Sequence, residues 1–362
     1  MSAGSPRYIT FYLPQFYPTP ENDAWWGPGF TEWSNVVKAR PQFRGHEQPH
    51  LPANLGFYDL RLAETRSQQA ALARAHGIHA FCYYHYWSVG ARLLARPFDE
   101  VLASGEPDFP FMLCWANHDW TRAWDGYGGQ LLAKQRYSPE DDLAHIRWMA
   151  GAFADPRYVT VAGRPVLPVL QAGLLEDARA TTDRWRAETT RLGLSEPYMI
   201  RVDLHAADRG DPTAQGFDAS IEYPPVSAYR TAPLLAPGWL PFHRRRTPSG
   251  RHAVISYPDV VDAALAAPPV PWKRYRCVVP RWDNSPRRKK EALILHGSTP
   301  AEYGRWVEGV TRSFRPFGVG EDFVFVNAWN EWGEGAHLEP DLRWGTRYLE
   351  AHRPRSAVAV TM

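Results

Sequence analysis

Short apolar runs, rich in β-branched and aromatic residues, alternate along this chain with stretches of helical spacing, and this alternation constrains the fold more than any other feature. The runs lie at Tyr8–Phe16, Ala80–Trp87, Phe111–Trp115, Pro165–Gln171, Tyr198–Asp203, Asp218–Tyr223, Arg276–Trp282 and Phe323–Trp329. Between them, Leu60–His76, Pro139–Phe153, Thr181–Leu192 and Pro300–Ser313 repeat Ala, Leu, Arg and Glu at helical spacing. Strands that alternate with helices predict a parallel sheet. Eight such runs in 362 residues fit an α/β fold of the (β/α)8 TIM-barrel type better than an open doubly wound sheet. No GxGxxG or GxxxxGK[ST] motif favours a nucleotide fold. Two long connections, Tyr17–Asp59 after the first run and Pro224–Tyr275 after the sixth, would both lie at the C-terminal face, where barrel enzymes build their sites. No internal repeat or break in composition marks a second domain, so residues 1–362 are expected to form a single domain with its core at about 7–350.

Composition narrows the classes of partner. Lys and Arg exceed Asp and Glu by only 41 to 39, too small a surplus for the phosphate-neutralising surface of a nucleic-acid binder. Aromatic residues make up 14% of the chain, with 16 Trp against 5 Met, and many stand beside Asn, Asp, Glu or His. Flat rings interleaved with polar groups suit carbohydrate, which has an apolar C–H face and a hydroxyl-rich edge. Cys82, Cys114 and Cys277 sit in apolar runs without CxxC spacing and read as buried small hydrophobes. No stretch approaches about 18 consecutive apolar residues, which predicts a chain without a transmembrane segment and a cytoplasmic location. Neither a metal nor an organic cofactor is expected, and oligomeric state is not legible.

Polar and aromatic residues cluster where the strands should end. The second run ends in Tyr84, His85 and Tyr86, and the third in Trp115, followed by Asn117 and Asp119. Asp203 and Glu222 stand at the ends of the fifth and sixth runs, and the seventh ends in Trp282, followed by Asp283 and Asn284. The first long connection adds Trp25, Trp26, Glu32 and Trp33. In a barrel all of these approach one rim, where they are candidates for substrate binding, with core packing and loop hydrogen bonding as the competing uses. After the eighth run, Asn330-Glu331-Trp332-Gly333-Glu334-Gly335 sets two carboxylates three residues apart. Glycoside hydrolysis needs such a pair, one group donating a proton and the other acting as base or nucleophile. Gly333 and Gly335 would permit the turn that points both inward, with Asn330 and Trp332 alongside. Arg244-Arg245-Arg246 and Arg287-Arg288-Lys289-Lys290 read as solvated basic faces, with contact to an anionic saccharide or a diphosphate as the alternative.

Phe11-Tyr12-Leu13-Pro14-Gln15-Phe16, Trp25-Trp26-Gly27, Gly29-Phe30-Thr31-Glu32-Trp33, Tyr83-Tyr84-His85-Tyr86-Trp87, Cys114-Trp115-Ala116-Asn117, Trp282-Asp283-Asn284 and Trp329-Asn330-Glu331-Trp332 with Glu334-Gly335 together resemble the WbsX family from about Tyr8 to Leu349. That family is described as glycoside hydrolase family-99-like and is associated with bacterial surface-polysaccharide loci. The resemblance implies a barrel related to retaining endo-α-mannosidases. It also implies that Glu331 is a base acting on the sugar 2-hydroxyl, closing a 1,2-anhydro sugar, and that Glu334 is the acid/base. The chain departs from the family pattern at Tyr17, His118-Asp119 and Ala123, which implies a different specificity. Two rivals stand beside this reading. One is a glycosyltransferase, whose diphosphate site would fall to Arg281 and the basic run after it. The other is a carbohydrate-binding barrel without turnover.

Overall fold

A computed structural model describes residues 5–122, 127–204, 208, 210–225, 244–246, 252–288 and 290–353. Its main sheet contains β1 (Arg7–Tyr12), β2 (Ile78–Ser88), β3 (Phe111–Trp115), β4 (Arg164–Val169), β5 (Tyr198–Asp203), β6 (Ala219–Glu222), β7 (Arg274–Tyr275), β8 (Cys277–Val278) and β9 (Phe323–Val326). Neighbours pair in parallel from β1 through to β7, and β8 pairs with β9, which pairs back with β1. The seventh run, Arg276–Trp282, contains β8, which takes β9 as its partner, whereas β7 lies just before the run, at the end of the long connection, and takes β6, so the strand begins earlier than predicted and is split at Arg276. The sheet thus runs round a nearly closed barrel, as the alternation of runs predicts. The first and last strands are shorter than their apolar runs, because residues 13–16 and 327–329 continue into the loops of the C-terminal face.

The helices form where local chemistry starts them. Helices α1 (Pro20–Trp26) and α2 (Trp33–Lys38) lie within the first long connection, followed by α3 (Ala63–Ala75) and α4 (Arg96–Ser104). Next come α5 (Pro139–Phe153), α6 (Ala178–Arg191), α7 (Tyr257–Ala266) and α8 (Pro300–Ser313). Ser138 and Thr299 each cap a following helix by accepting the N–H three residues on, with Pro at the first helical position. These caps place the starts of α5 and α8 where the sequence predicts them.

Alternation along the strands divides the aromatic residues between two layers. Tyr84 stacks on Phe11 inside the barrel, 5.5 Å between ring centroids. Its neighbours Tyr83 and His85 face outward, against Phe98 of α4 and Trp148 of α5 respectively. Trp115, next to the inward Cys114, packs outward on Trp185 and His145, and Trp185 donates to the Asp142 carbonyl at 3.0 Å. Cys82, Cys114 and Cys277 are all buried and free. Among the described residues, no helix is long and apolar enough to cross a membrane. Trp185 is fully buried between α5 and α6. Trp185→Ala should therefore cost about 3–5 kcal/mol and lower the thermal midpoint measured by circular dichroism.

Candidate active site

After β9 the chain turns back on itself. Asn330 and Glu331 pair antiparallel with His337 and Ala336, and Trp332–Glu334 forms one 3₁₀ turn at the tip. Gly335 closes the turn at φ +64°, a left-handed conformation that favours glycine. The Asn330 side chain fixes this hairpin to the end of β1: its amide oxygen accepts from the Leu13 N–H at 2.7 Å and its NH₂ donates to the Leu13 carbonyl at 3.0 Å. Trp332 is fixed from behind, donating to Glu339 at 2.7 Å and stacking on His337 with 3.6 Å between centroids.

Glu331 and Glu334 converge on one guanidinium, that of Arg287. Arg287 Nη2 lies 2.7 Å from Glu331 Oε2, and Nη1 lies 2.9 Å from Glu334 Oε1. The other edge of the same guanidinium is taken by Glu32, through Nε and through Nη2 at 2.7 Å. Arg287 is a buried residue, Glu32 is fully buried, the Glu331 side chain is 7% exposed and that of Glu334 is 21% exposed. Burial pushes the Glu331 carboxyl up from 4.5 to about 8; Arg287 opposes that rise, and Glu334 and Glu32 add to it. The Arg287 guanidinium loses hydration in the same place, yet Glu32, Glu331 and Glu334 hold it well above its ordinary value.

The turn works only because Gly333 has no side chain. A Cβ there would lie 2.6 Å from the Glu32 carboxyl carbon and 2.8 Å from Arg287 Nε. Both glycines singled out from the sequence are thus required, Gly335 for its φ and Gly333 for the close approach of an ion pair from another loop.

Tyr84, Tyr86 and Tyr223 surround the buried end of the cluster. Tyr84 and Tyr223 share a 2.5 Å hydroxyl contact, and burial together with the Glu331 charge holds the phenols of Tyr86 and Tyr223 well above their ordinary range. Outward from Tyr86, rings continue through Trp120 at 5.0 Å to Trp25 at 5.6 Å. This is a half-buried aromatic track that leads away from the carboxylates.

A family model described as "Glycosyltransferase WbsX" matches residues 8–352 of this chain. The chain belongs to the WbsX family. Two curated relatives, both named "Uncharacterized protein WxcX" and from two strains of Xanthomonas campestris pv. campestris, are 41% identical over 346 residues, 95% of this chain. The chain spans about half of their length, 49%. Among solved structures, a "Glycoside hydrolase-like protein" superposes with a TM-score of 0.59 at 14% identity, covering 97% of this chain and 94% of the other. A GH99 endo-α-mannosidase from Bacteroides thetaiotaomicron, in complex with BIS-TRIS-propane, superposes with a TM-score of 0.55 at 13% identity, covering 96% and 95%. The WbsX chain thus shares its barrel with these proteins.

The other residues predicted for the WbsX site divide by their partners. Glu32 joins the carboxylate cluster, while Trp33 of the same segment donates to the Tyr58 carbonyl at 2.9 Å and packs on Phe16 and Trp332. Trp26 lies under the Arg122 guanidinium, 5.3 Å from its ring centre. Asp283 adjoins the hairpin: its N–H donates to the Glu334 carbonyl at 2.7 Å. The Asp283 carboxylate accepts from His46 at 2.7 Å and Gln48 at 2.6 Å, tying the first long loop to the segment after β8. Burial alone would raise that carboxyl, but these bonds and one from Ser285 hold it below its usual range. Trp282 is buried beside it, and Asn284 accepts from the Leu293 N–H at 2.8 Å.

Several predicted residues are not brought to the cluster. His85 points between β2 and α5, 3.0 Å from His145, and burial pushes it down to about 3. Trp115 faces the helices, and Asn117 bonds the Gln171 backbone at 2.9 Å in both directions. Asp119 is exposed and accepts from the Gln135 N–H. Asp203 pairs with Arg201, and burial pushes it up to about 6; Glu222 pairs with Arg274 and Arg276. Of the departures from the family pattern, Tyr17 is buried, the His118 ring lies 6.5 Å from Tyr86, and Ala123 falls outside the described residues.

The basic runs require one correction. Arg287 is not on a solvated face: it turns inward to three carboxylates, while Arg288 and Lys290 are exposed. Lys289 and the side chains of Arg244–Arg246 lie outside the described residues. No spacing rule separates Arg287 from its basic neighbours, so its role was not legible in the sequence. Gly333→Ala should overpack the cluster and destabilise the fold by about 1–3 kcal/mol, seen as a lower thermal midpoint, and the same step should lower the midpoint less when it is made in a Glu32→Ala background than in the wild type.

Proposed function

We propose that this protein is a glycoside hydrolase acting on a bacterial glycan or glycoconjugate, with Glu331 and Glu334 as its carboxyl pair. The observation that carries this reading is the convergence of both side chains on Arg287 at the C-terminal face of the barrel, one deeply buried and one open. The names of the structural neighbours, a glycoside hydrolase-like protein and an endo-α-mannosidase, favour the same chemistry. In this reading Glu331 removes the proton of the sugar 2-hydroxyl, and the freed oxygen attacks the anomeric carbon to form a 1,2-anhydro sugar. Glu334 protonates the departing oxygen and then deprotonates the water that attacks the anomeric carbon, while Glu331 returns its proton to the 2-oxygen as the anhydro ring opens. The track Tyr86–Trp120–Trp25 offers ring faces for neighbouring sugars.

A glycosyltransferase is the second reading, favoured by the description of the family model. Its diphosphate site would fall to Arg281 and the following basic run. Arg281, however, is buried against Asp341 at 2.6 Å, and Arg287 is committed to carboxylates, which weighs for hydrolysis.

Product release from bacterial polysaccharides and α-linked oligosaccharides, with nucleotide sugars included as donors, separates the two. Glu331→Gln and Glu334→Gln are each expected to lower release by about 10²–10⁴-fold, and an analogue lacking the 2-hydroxyl should resist cleavage. Consumption of a nucleotide sugar with transfer to an acceptor would instead establish the transferase. With Glu331 held at about 8, a base at this position is active only when ionised, so kcat/KM should climb with pH and level off above about 8. A profile that falls through that pH would assign Glu331 the role of proton donor.

A further inference from the structure

Three carboxylates meet one guanidinium at the mouth of this barrel, and they do not meet it equally. Glu32 holds the guanidinium by two of its nitrogens, Nε and Nη2, and is itself fully buried at the start of α2. That grip fixes the plane of the fork and turns its Nη1 and Nη2 atoms toward the hairpin after β9. Glu331 takes Nη2 on the buried side, facing Tyr84, Tyr86 and Tyr223; Glu334 takes Nη1 on the open side. No two of these three glutamates can approach closely while ionised without a cation between them, since like charges at short range in a dry site raise each other's affinity for protons.

We infer that Arg287, anchored by Glu32, is a positioning residue that spaces Glu331 and Glu334 along one edge of its guanidinium and gives them unequal roles in proton transfer. This rests on the reading of Glu331 and Glu334 as the carboxyl pair. Arg287 is embedded in the cluster and takes no bond to substrate in this scheme. Its edge is a rigid ruler: a lysine would preserve the charge at one point but not the two-pronged spacing, and glutamine would remove the charge. Glu334 is the partner able to leave the fork, because its side chain is the most exposed of the three. Glu331 stays in place beneath the tyrosines. Glu32, though a third carboxylate in the same cluster, belongs to the support of Arg287 and not to the reacting pair.

The test compares wild type, Arg287→Lys, Arg287→Gln and Glu32→Gln, all of full length, with circular dichroism to confirm that each is folded. Side-chain carboxyl carbons of ¹³C-labelled glutamate are followed by NMR from pH 4 to 10, assigned with Glu331→Gln and Glu334→Gln. In wild type the Glu331 carboxyl should titrate at about 8, far above an ordinary carboxylate. In Arg287→Gln it should move further upward, and in Arg287→Lys it should also move, because a point charge does not reproduce the fork. Glu32→Gln should shift the same Glu331 resonance although it does not remove that group. On any glycan the wild type cleaves, Arg287→Lys should lower kcat by about 100-fold with KM changed less than about 3-fold, and should displace the pH profile. Unchanged titrations in folded Arg287 variants would overturn the inference, as would a loss confined to KM, which would make Arg287 a substrate ligand. If no glycan is cleaved by the wild type, the hydrolase reading fails, and the titrations alone still decide whether Arg287 sets the charge state of Glu331.

Discussion

The Arg287 ion cluster is the interaction on which the mouth of this barrel depends. Carboxylates removed from water must be neutralised by a well-aligned cation or by protons. Here one guanidinium draws Glu32 from the loop after β1 and Glu331 and Glu334 from the hairpin after β9. Arg287 itself comes from the segment after β8. Three connections widely separated in sequence are thereby pinned together, and each then needs its own support. Asn330 ties the hairpin to Leu13, Glu339 holds Trp332, and Asp283 receives His46 and Gln48. Gly333 has to be glycine because the ion pair occupies the volume of its Cβ.

The barrel sets which side chains take part in that mouth. Successive residues of a strand point to opposite faces, so Tyr84 and Tyr86 enter the barrel while His85 between them enters the helix layer. The same rule sends Cys114 inward and Trp115 outward. Asp203 and Glu222 sit at strand ends but are paired with arginines, Asp203 with Arg201 of its own strand and Glu222 with Arg274 and Arg276 of the adjacent segment. Proximity to the rim along the chain is thus a weaker guide than parity within the strand.

Parity was available in the sequence and would have separated Tyr84 and Tyr86 from His85, given the inward face of one residue. The role of Asn117 was not available, because an amide that joins two loops has the same composition as one that binds a sugar. Arg287 was the least legible of all. It stands in a run of four basic residues, and nothing local distinguishes the one that is buried from those that are solvated. Glu339 is equally silent in sequence, yet it accepts from Tyr58, Gln69 and Trp332, three residues that only the fold assembles.

The sequence by itself determined the alternation of strands and helices, and with it the barrel, because hydrophobic period and helix caps act over a few residues. It also determined the turn that carries Glu331 and Glu334, since Gly335 and the spacing of the two carboxylates are local. Only the tertiary structure decided that both carboxylates share Arg287, that Glu32 completes the cluster, and that Glu331 is buried while Glu334 is open. Electrostatics and desolvation depend on which groups meet in space, and here they meet across more than 250 residues of chain, |i−j| being 255 for Glu32 and Arg287.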